Sequence, residues 1–164
     1  MLTRPDDVNK IDYWAYRLDE AIKADNLQYA VYLCNKTSWN KIWAEHKRII
    51  EKIIPKGANV LDAGCAYGRM SELFEEKYTG VDFAPSLIAK AKELYPSKTF
   101  FVASLDNLSF SDKEFDWAIC ASIRQMIQGK SSSEHWLRME KELKRVADKI
   151  LILEYTDYEY FEII

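Results

Sequence analysis

The chain has 164 residues, of which 48% are hydrophobic and 30% charged, with only five glycines and four prolines. This composition fits one folded α/β unit and excludes collagen-like and intrinsically disordered chains. The net charge of -3 gives no general attraction to phosphate backbones. Nucleic acid is therefore an unfavourable partner, and a small-molecule substrate is favoured.

The cysteines and the hydropathy pattern predict a compartment. Cys34, Cys65 and Cys120 are odd in number and lack CxxC spacing, and neither histidine lies near a cysteine pair. This pattern favours reduced thiols and indicates no metal site. No apolar run reaches the ~18 residues that a membrane span needs, and the polar start is unlike a signal peptide. We therefore expect a cytoplasmic protein without a membrane segment.

The N-terminal third of the chain predicts helices. Between Ile11 and Ile54 apolar residues recur at helical spacing without Gly or Pro, which indicates two or three helices. Polar residues from Cys34 to Ser38 predict a break. Thr37 or Ser38 is then the N-cap of a helix that ends before Pro55.

After Gly57, short runs rich in β-branched and aromatic residues alternate with amphipathic polar stretches. The alternation predicts an α/β fold with an open twisted parallel sheet and helices on both faces, because strands joined by helices form right-handed crossovers. The predicted strands are Asn59–Asp62, Tyr78–Asp82, Thr99–Ala103, Phe115–Ala121 and Lys149–Tyr155. The predicted helices are Arg69–Lys77, Ser86–Tyr95 and Ser133–Val146.

The first strand leads into a turn of small residues, and residues 60–68 read VLDAGCAYG. Ligands of open parallel sheets bind beyond the carboxyl ends of the strands, where glycine permits close approach and the next helix offers free N–H groups. At the end of the following strand, 18 residues beyond Gly64, Asp82 can accept hydrogen bonds from both hydroxyls of a ribose. Phe83 can lie against a purine face. A nucleoside-containing ligand fits this pair of strand ends.

Three stretches in order resemble the motifs of class I S-adenosylmethionine-dependent methyltransferases: VLDAGCAYGRMSELF, YTGVDFAPSLIAKAKELYP and FFVASLDNLSFSDKEFDWAI. The resemblance covers about Val60 to Tyr155. It implies a Rossmann-like sheet of order 3-2-1-4-5, S-adenosylmethionine as cofactor and S-adenosylhomocysteine as product. It also implies one methyltransferase-like domain, with a helical N-terminal cap over 1–57 and a cofactor-binding core over 58–164.

The resemblance also implies a cofactor role for individual residues. Asp82 holds the ribose, and Phe83 flanks the adenine. Ser104 stands where the family carries an acid that contacts the adenine amino group, with the N–H of Leu105 on the ring nitrogen, so we expect modest cofactor affinity. Asp106 is the substitute acid if the register differs. The methionyl part is surrounded by Asp62, Gly64, Ala66 (a glycine in the family) and Gly68, and the remaining cofactor-contacting residues are Ala63, Ser122, Tyr13 and Arg17.

The N-terminal aromatic cluster around Tyr13 is similar to the segment that covers the cofactor in many small-molecule methyltransferases. Arg17 in this cluster can pair with the methionine carboxylate.

Methyl transfer from a sulfonium is an in-line displacement with an excellent leaving group, so a catalytic base is optional. The catalytic residue therefore stays unassigned. Arg124 is either a group that orients an anionic substrate or a solvated loop arginine, and His46 is either a general base or a packing residue of its helix. The full set of candidates is Ser122, Arg124 and Gln125 after the fourth strand, Glu154 and Tyr155 beyond the fifth strand, and His46.

We expect an enzyme that methylates an oxygen or nitrogen of a small molecule. By resemblance, the fourth strand's exit lacks the runs used for methylation of DNA amino groups and pyrimidine carbon. Two alternatives remain open: a catalytically silent binding or activating subunit, and a nucleic-acid or protein methyltransferase that works with a partner.

The end of the chain predicts a truncated sheet. The family's sheet has seven strands, whereas residues 156–164 allow one short strand at most. The apolar fifth strand then lies at an edge, and apolar edges are normally covered. We expect a homodimer or partner subunit to cover it, in preference to the tail folding back.

Overall fold

The computed structural model describes residues 10–31, 36–75, 77–128, 133–155 and 159–164. The strands are β1 (Val60–Ala63), β2 (Tyr78–Asp82), β3 (Thr99–Val102), β4 (Phe115–Ala121), β5 (Ala147–Tyr155) and β6 (Glu159–Ile163). The α-helices are α1 (Ile11–Lys23), α2 (Lys36–Ile53), α3 (Pro85–Leu94), α4 (Ile123–Gln128) and α5 (Ser133–Val146), and 3₁₀ helices span Leu27–Ala30 and Arg69–Leu73.

The strands form a sheet of order β3-β2-β1-β4-β5-β6. Strands β1 to β5 are parallel, and β6 is antiparallel to β5. The predicted Rossmann-like α/β fold with strand order 3-2-1-4-5 is confirmed. The order reverses between β1 and β4, and ligands of open parallel sheets bind at the carboxyl ends of such neighbouring strands. This edge positions the candidate site.

Apolar side chains pack on both faces of the sheet, which confirms the predicted placement of helices. On one face, Ile50 of α2 and Ile88 of α3 pack in one cluster with Ile119 of β4. On the other face, Leu143 of α5 packs in a cluster with Ile150 of β5. Both faces of the central strands are therefore covered, as a parallel sheet requires, whereas Phe101 and Val102 of the edge strand β3 remain exposed. In the described part of the chain, no helix has the length and apolar character needed to cross a membrane.

The N-terminal helices form a layer over the turn that follows β1. Tyr13, Trp14 and Leu18 of α1 pack in one buried cluster with Tyr67 of that turn and Leu87 of α3. The α1 helix therefore lies close to the end of the sheet where the ligand site is expected.

Two of the predicted helices differ from the structure, one in its first residue and the other in its type and its last residue. Helix α2 begins at Lys36, so Thr37 and Ser38 lie in its first turn instead of capping it, and Cys34 lies outside the described residues. The helix predicted over Arg69–Lys77 is wrong in type and length. It is a 3₁₀ helix that ends at Leu73, because Phe74 adopts an extended backbone and its carbonyl accepts a hydrogen bond from the Lys98 ammonium.

Helix α4 was not expected from the sequence, which suggested a loop after β4. Its apolar residues Ile123 and Ile127 are four positions apart and pack against the same face of the sheet as α5. Tertiary packing therefore stabilises a helix too short to form alone.

The expectation that a partner subunit covers the fifth strand is corrected by β6. The tail folds back and pairs with β5 from Leu151 to Tyr155, and Ile150 and Ile164 exchange backbone hydrogen bonds of 2.8 and 3.0 Å. The tail forms a single strand, as its length predicted. Because β6 pairs with the backbone groups of β5 within the chain, the edge of β5 needs no second subunit to cover it.

Candidate functional site

The turn between β1 and the 3₁₀ helix is fixed by the neighbouring strand. The N–H groups of Gly64 and Cys65 both donate to the carbonyl of Val81 in β2, at 2.8 and 2.9 Å. Gly64, Ala66 and Gly68 all adopt left-handed backbone conformations, with φ values of 82°, 51° and 81°. At Ala66 this conformation is unfavourable by roughly 1 kcal/mol, because its Cβ approaches the carbonyl oxygen.

Asp82, at the end of β2, holds Ala66 in this conformation. Its Oδ2 accepts the N–H of Ala66 at 3.0 Å, and its Oδ1 accepts the N–H of Ala84 at 2.9 Å. Burial raises the pKa of Asp82 to about 6, although these backbone hydrogen bonds favour the charged form. The carboxylate is mainly ionised at pH 7, and each oxygen has a second lone pair. It therefore fits the two hydroxyls of a ribose.

Asp62 lies deeper than the turn. Its side chain is buried, and its Oδ2 accepts a hydrogen bond of 2.6 Å from the Tyr78 hydroxyl. Burial raises the pKa of Asp62 to about 6. The structure therefore gives Asp62 an interior partner, and its contact with a methionyl group stays a prediction.

The residues assigned to the adenine end lie after β3. Ser104 is exposed, and its hydroxyl donates to Oδ1 of Asp106 at 2.5 Å. The serine oxygen keeps lone pairs that can accept the adenine amino group. Leu105 is buried in the same cluster as Ala63 of β1, while Phe83 packs beside the cluster of α1.

The exit of β4 contacts the turn after β1. Ser122 adopts a left-handed backbone conformation with φ of 60°, and its N–H donates to the carbonyl of Leu153 at 2.7 Å. The next side chain, Ile123, lies against Gly64, where an added Cβ would come within 2.5 Å of its Cδ1. Sequence reasoning missed Ile123, because its partner is 59 positions away in the chain.

Arg124 belongs to an ion network instead of a solvated loop. It makes a hydrogen bond of 2.8 Å to Glu162 of β6 and lies 3.5 Å from the buried carboxylate of Glu154. An anionic ligand at Arg124 would have to exchange with Glu162. The side chains of Gln125 and Tyr155 lie outside the described part of the structure.

The two N-terminal candidates are fixed within the helical layer. Tyr13 is buried and contacts the edge of Trp14, with ring centroids 5.1 Å apart. Arg17 donates to the carbonyl of Tyr29 and stacks on the Tyr29 ring at 4.1 Å.

His46 is buried on α2 and lies in the electrostatic environment of Arg69. Burial and the charge of Arg69 lower the pKa of His46 to about 4, so the imidazole is neutral at pH 7. Sequence reasoning did not select Arg69, although a cation directly after Gly68 was a visible signal. Within the described ranges, no group of three or more His, Cys, Asp or Glu side chains could hold a metal ion.

Comparison with known proteins identifies relatives of this arrangement. A family model described as a methyltransferase domain matches residues 60–148, more than half of the chain. The 2-methyl-6-phytyl-1,4-hydroquinone methyltransferase of the cyanobacterium Synechocystis is 33% identical over 75 residues, which cover 40% of this chain and 24% of that enzyme.

Two solved structures show the same fold at low identity. Phosphoethanolamine N-methyltransferase 1 of Haemonchus contortus, in complex with phosphoethanolamine and S-adenosylhomocysteine, has a TM-score of 0.66 and 16% identity. The alignment covers 91% of this chain and 33% of that one. Magnesium protoporphyrin IX methyltransferase of Synechocystis, with bound S-adenosylmethionine, has a TM-score of 0.56 and 17% identity. The alignment covers 77% of this chain and 67% of that one. The chain spans less than two thirds of the length of the curated relative that it matches.

Proposed function

Because the chain belongs to the class I S-adenosylmethionine-dependent methyltransferase family, we propose that it transfers a methyl group from S-adenosylmethionine to an oxygen or nitrogen of a small molecule. The observation that carries this proposal is the joining of two strand ends. Asp82 of β2 accepts the N–H of Ala66 in the turn after β1, so a ribose-binding carboxylate and a glycine-containing turn form one rigid edge. This is the geometry that a nucleoside bound beyond the strand ends requires.

The residues present fit the cofactor. The Asp82 carboxylate accepts the ribose hydroxyls, Phe83 lies against the adenine, and Ser104, oriented by Asp106, accepts the adenine amino group. The turn residues, Ser122 and the α1 layer enclose the methionyl part. When bound, S-adenosylmethionine would supply an electrophilic methyl group, with its thioether as the leaving group.

The protein's own contribution is to hold the acceptor in line and to exclude water. Glu154 lies near the carboxyl end of β5, and Arg124 follows the end of the neighbouring strand β4. They are the groups best placed to orient the acceptor or receive its proton. A small-molecule acceptor is supported by relatives named for hydroquinone and porphyrin substrates.

The proposal is tested in two steps with the purified chain. Calorimetry with S-adenosylhomocysteine measures cofactor binding, with Asp82→Asn as the matched negative control. Mass spectrometry then follows methyl transfer from S-adenosylmethionine to a panel of phenols, carboxylic acids and amines. Binding without transfer to any acceptor favours the silent binding subunit, and absence of binding rejects the proposal.

A further inference from the structure

Arg69 is held between two indole rings. Its guanidinium carbon lies 4.2 Å from the ring centroid of Trp39 and 4.3 Å from that of Trp43. The two tryptophans are four residues apart on α2, so they share one face of that helix. Cation–π contacts with both rings fix the guanidinium, while its N–H groups can bind only acceptors in its own plane.

Those N–H groups have no acceptor among the residues that the structure describes. Across the described ranges, the Arg69 guanidinium makes neither a hydrogen bond nor an ion pair, and its Nη1 is buried without a partner. Arg145 shows the contrast, because it donates to the carbonyls of Leu108 and Phe110 and to two carboxylates. Buried donors are almost always satisfied, so Arg69 requires an explanation.

His46 is a second unpartnered group in the same environment. It is 3% exposed, and its Nδ1 has no hydrogen-bond partner. Burial raises the pKa of Asp62 to about 6, although the charge of Arg69 acts in the opposite direction. Its Oδ2 accepts the Tyr78 hydroxyl, and within the described residues it forms no ion pair with Arg69. The cluster of Arg69 and His46 therefore combines one positive charge, a neutral imidazole and unsatisfied polar atoms.

We propose that Arg69 and His46 form a carboxylate-binding site beside the turn that ends at Gly68, and that it takes the carboxylate of the cofactor's methionyl part. One arginine charge next to a neutral histidine balances a monoanion, and the planar guanidinium matches a carboxylate in bidentate geometry. Arg69 directly follows the turn, whereas Arg17 is bound to the carbonyl and ring of Tyr29. The identity of the carboxylate rests on the proposed function, because a carboxylate on the methyl acceptor has the same chemistry.

The test compares two ligands that share the nucleoside and the thioether. S-adenosylhomocysteine carries the carboxylate, and 5′-methylthioadenosine lacks it. In calorimetry, Arg69→Met is expected to lower the affinity for S-adenosylhomocysteine about 10- to 100-fold. The affinity for 5′-methylthioadenosine should change less than about twofold. Methionine keeps an unbranched side chain between the indoles, and thermal denaturation of each variant checks the fold. Arg48→Met is the control, because Arg48 is an exposed arginine of helix α2 that pairs with Glu45, and it should not produce this selective loss.

A second arm uses acetate as the probe. Acetate at the same ionic strength as chloride should raise the melting temperature of the wild-type chain, and Arg69→Met should remove the difference. If acetate acts through Arg69 but both nucleosides bind the variant normally, the site stands and its carboxylate comes from another molecule. If neither arm depends on Arg69, the site is refuted and the two indoles stack on a structural cation.

If Arg69→Met does not fold, the same measurements on the wild-type chain test the carboxylate site. Equal affinity for the two nucleosides together with no acetate effect refutes the site. Wild-type protein that binds neither nucleoside contradicts the proposed function and the cofactor as the carboxylate source, and the acetate arm then decides the site by itself.

Discussion

The Asp82 carboxylate, which we propose binds the ribose, already accepts the N–H groups of Ala66 and Ala84. Ala66 adopts a backbone conformation that glycine would adopt more easily. A substitution at Asp82 is therefore expected to change both the stability of the turn and the affinity for the ligand. Two variants are needed to separate these effects.

Asp82→Asn keeps one acceptor oxygen and removes the charge. We expect it to weaken S-adenosylhomocysteine binding by about 1.5–3 kcal/mol, while Asp82→Ala should in addition destabilise the fold by about 1–3 kcal/mol, because the two N–H groups lose their acceptor. Calorimetry and thermal denaturation separate the effects. Asp116→Asn is the control, since Asp116 also accepts a backbone N–H, at 2.7 Å from Asn59, but lies at the opposite end of the sheet. Undiminished binding by Asp82→Asn would contradict the ribose assignment.

The raised pKa of Asp82, about 6, predicts the pH dependence of cofactor binding. Hydroxyl donors favour the charged carboxylate, so binding lowers this pKa and releases a proton. Affinity for S-adenosylhomocysteine should therefore rise as the pH increases through about 6 and level off above 7. Asp62 has a similar pKa, and the Asp82→Asn variant distinguishes the two. A pH profile that keeps its slope in this variant would assign it to another group.

At the scale of elements, the contact of Ile123 with Gly64 couples α4 to the turn after β1. Gly64→Ala should destabilise the fold, because the new Cβ meets Ile123 and the left-handed backbone resists a side chain. Ile123→Ala should recover the part caused by the clash, with a coupling of about 1 kcal/mol in a double-mutant cycle measured by chemical denaturation. Gly57→Ala is the matched control, because Gly57 has a similar φ of 80° and no atom within 4 Å of its added Cβ. If the effects of the two substitutions are additive, α4 accommodates the new Cβ without a loss of folding stability.

The α1 layer predicts protection on binding. Tyr13 and Trp14 pack in one cluster with Tyr67 of the turn, so a ligand that orders the turn should also stabilise α1. Hydrogen exchange over 11–31 should slow when S-adenosylhomocysteine is added, while exchange in α5, on the other side of the molecule's core, stays unchanged. Identical protection of α1 with and without ligand would make it a packing layer only.

At the scale of the whole molecule, β6 covers the apolar edge of β5. Removal of residues 159–164 should expose that edge and cause self-association, because unpaired apolar strands act as templates for other chains. The intact chain should remain monomeric in light scattering at micromolar concentration. Replacement of the half-exposed Ile163 by Lys is the control, since it changes the surface but keeps the ladder. A dimeric intact chain would show that another surface mediates association.

The sequence by itself determined the sheet. The five parallel strands could be predicted because each is a short, largely apolar run, and β2 and β4 were bounded correctly to the residue. The position of Asp82 at the end of β2, beside the turn, could also be predicted, since its distance from Gly64 is set by one crossover unit. Its contact with a ribose stays a prediction. Patterns of this kind depend on residues that are close together in the chain, so distant contacts do not change what they predict.

Only the tertiary structure decided the features that depend on distant contacts. Helix α4 forms because Ile127 packs on the core, Arg124 meets Glu162 because the tail folds back, and Asp62 meets Tyr78 across two strands. The unpartnered Nη1 of Arg69 became apparent in the same way, since no pattern in the chain tells which arginine has a buried donor without an acceptor. Packing and hydrogen-bond satisfaction are properties of the folded chain, because they depend on which residues the topology brings within a few ångströms of one another.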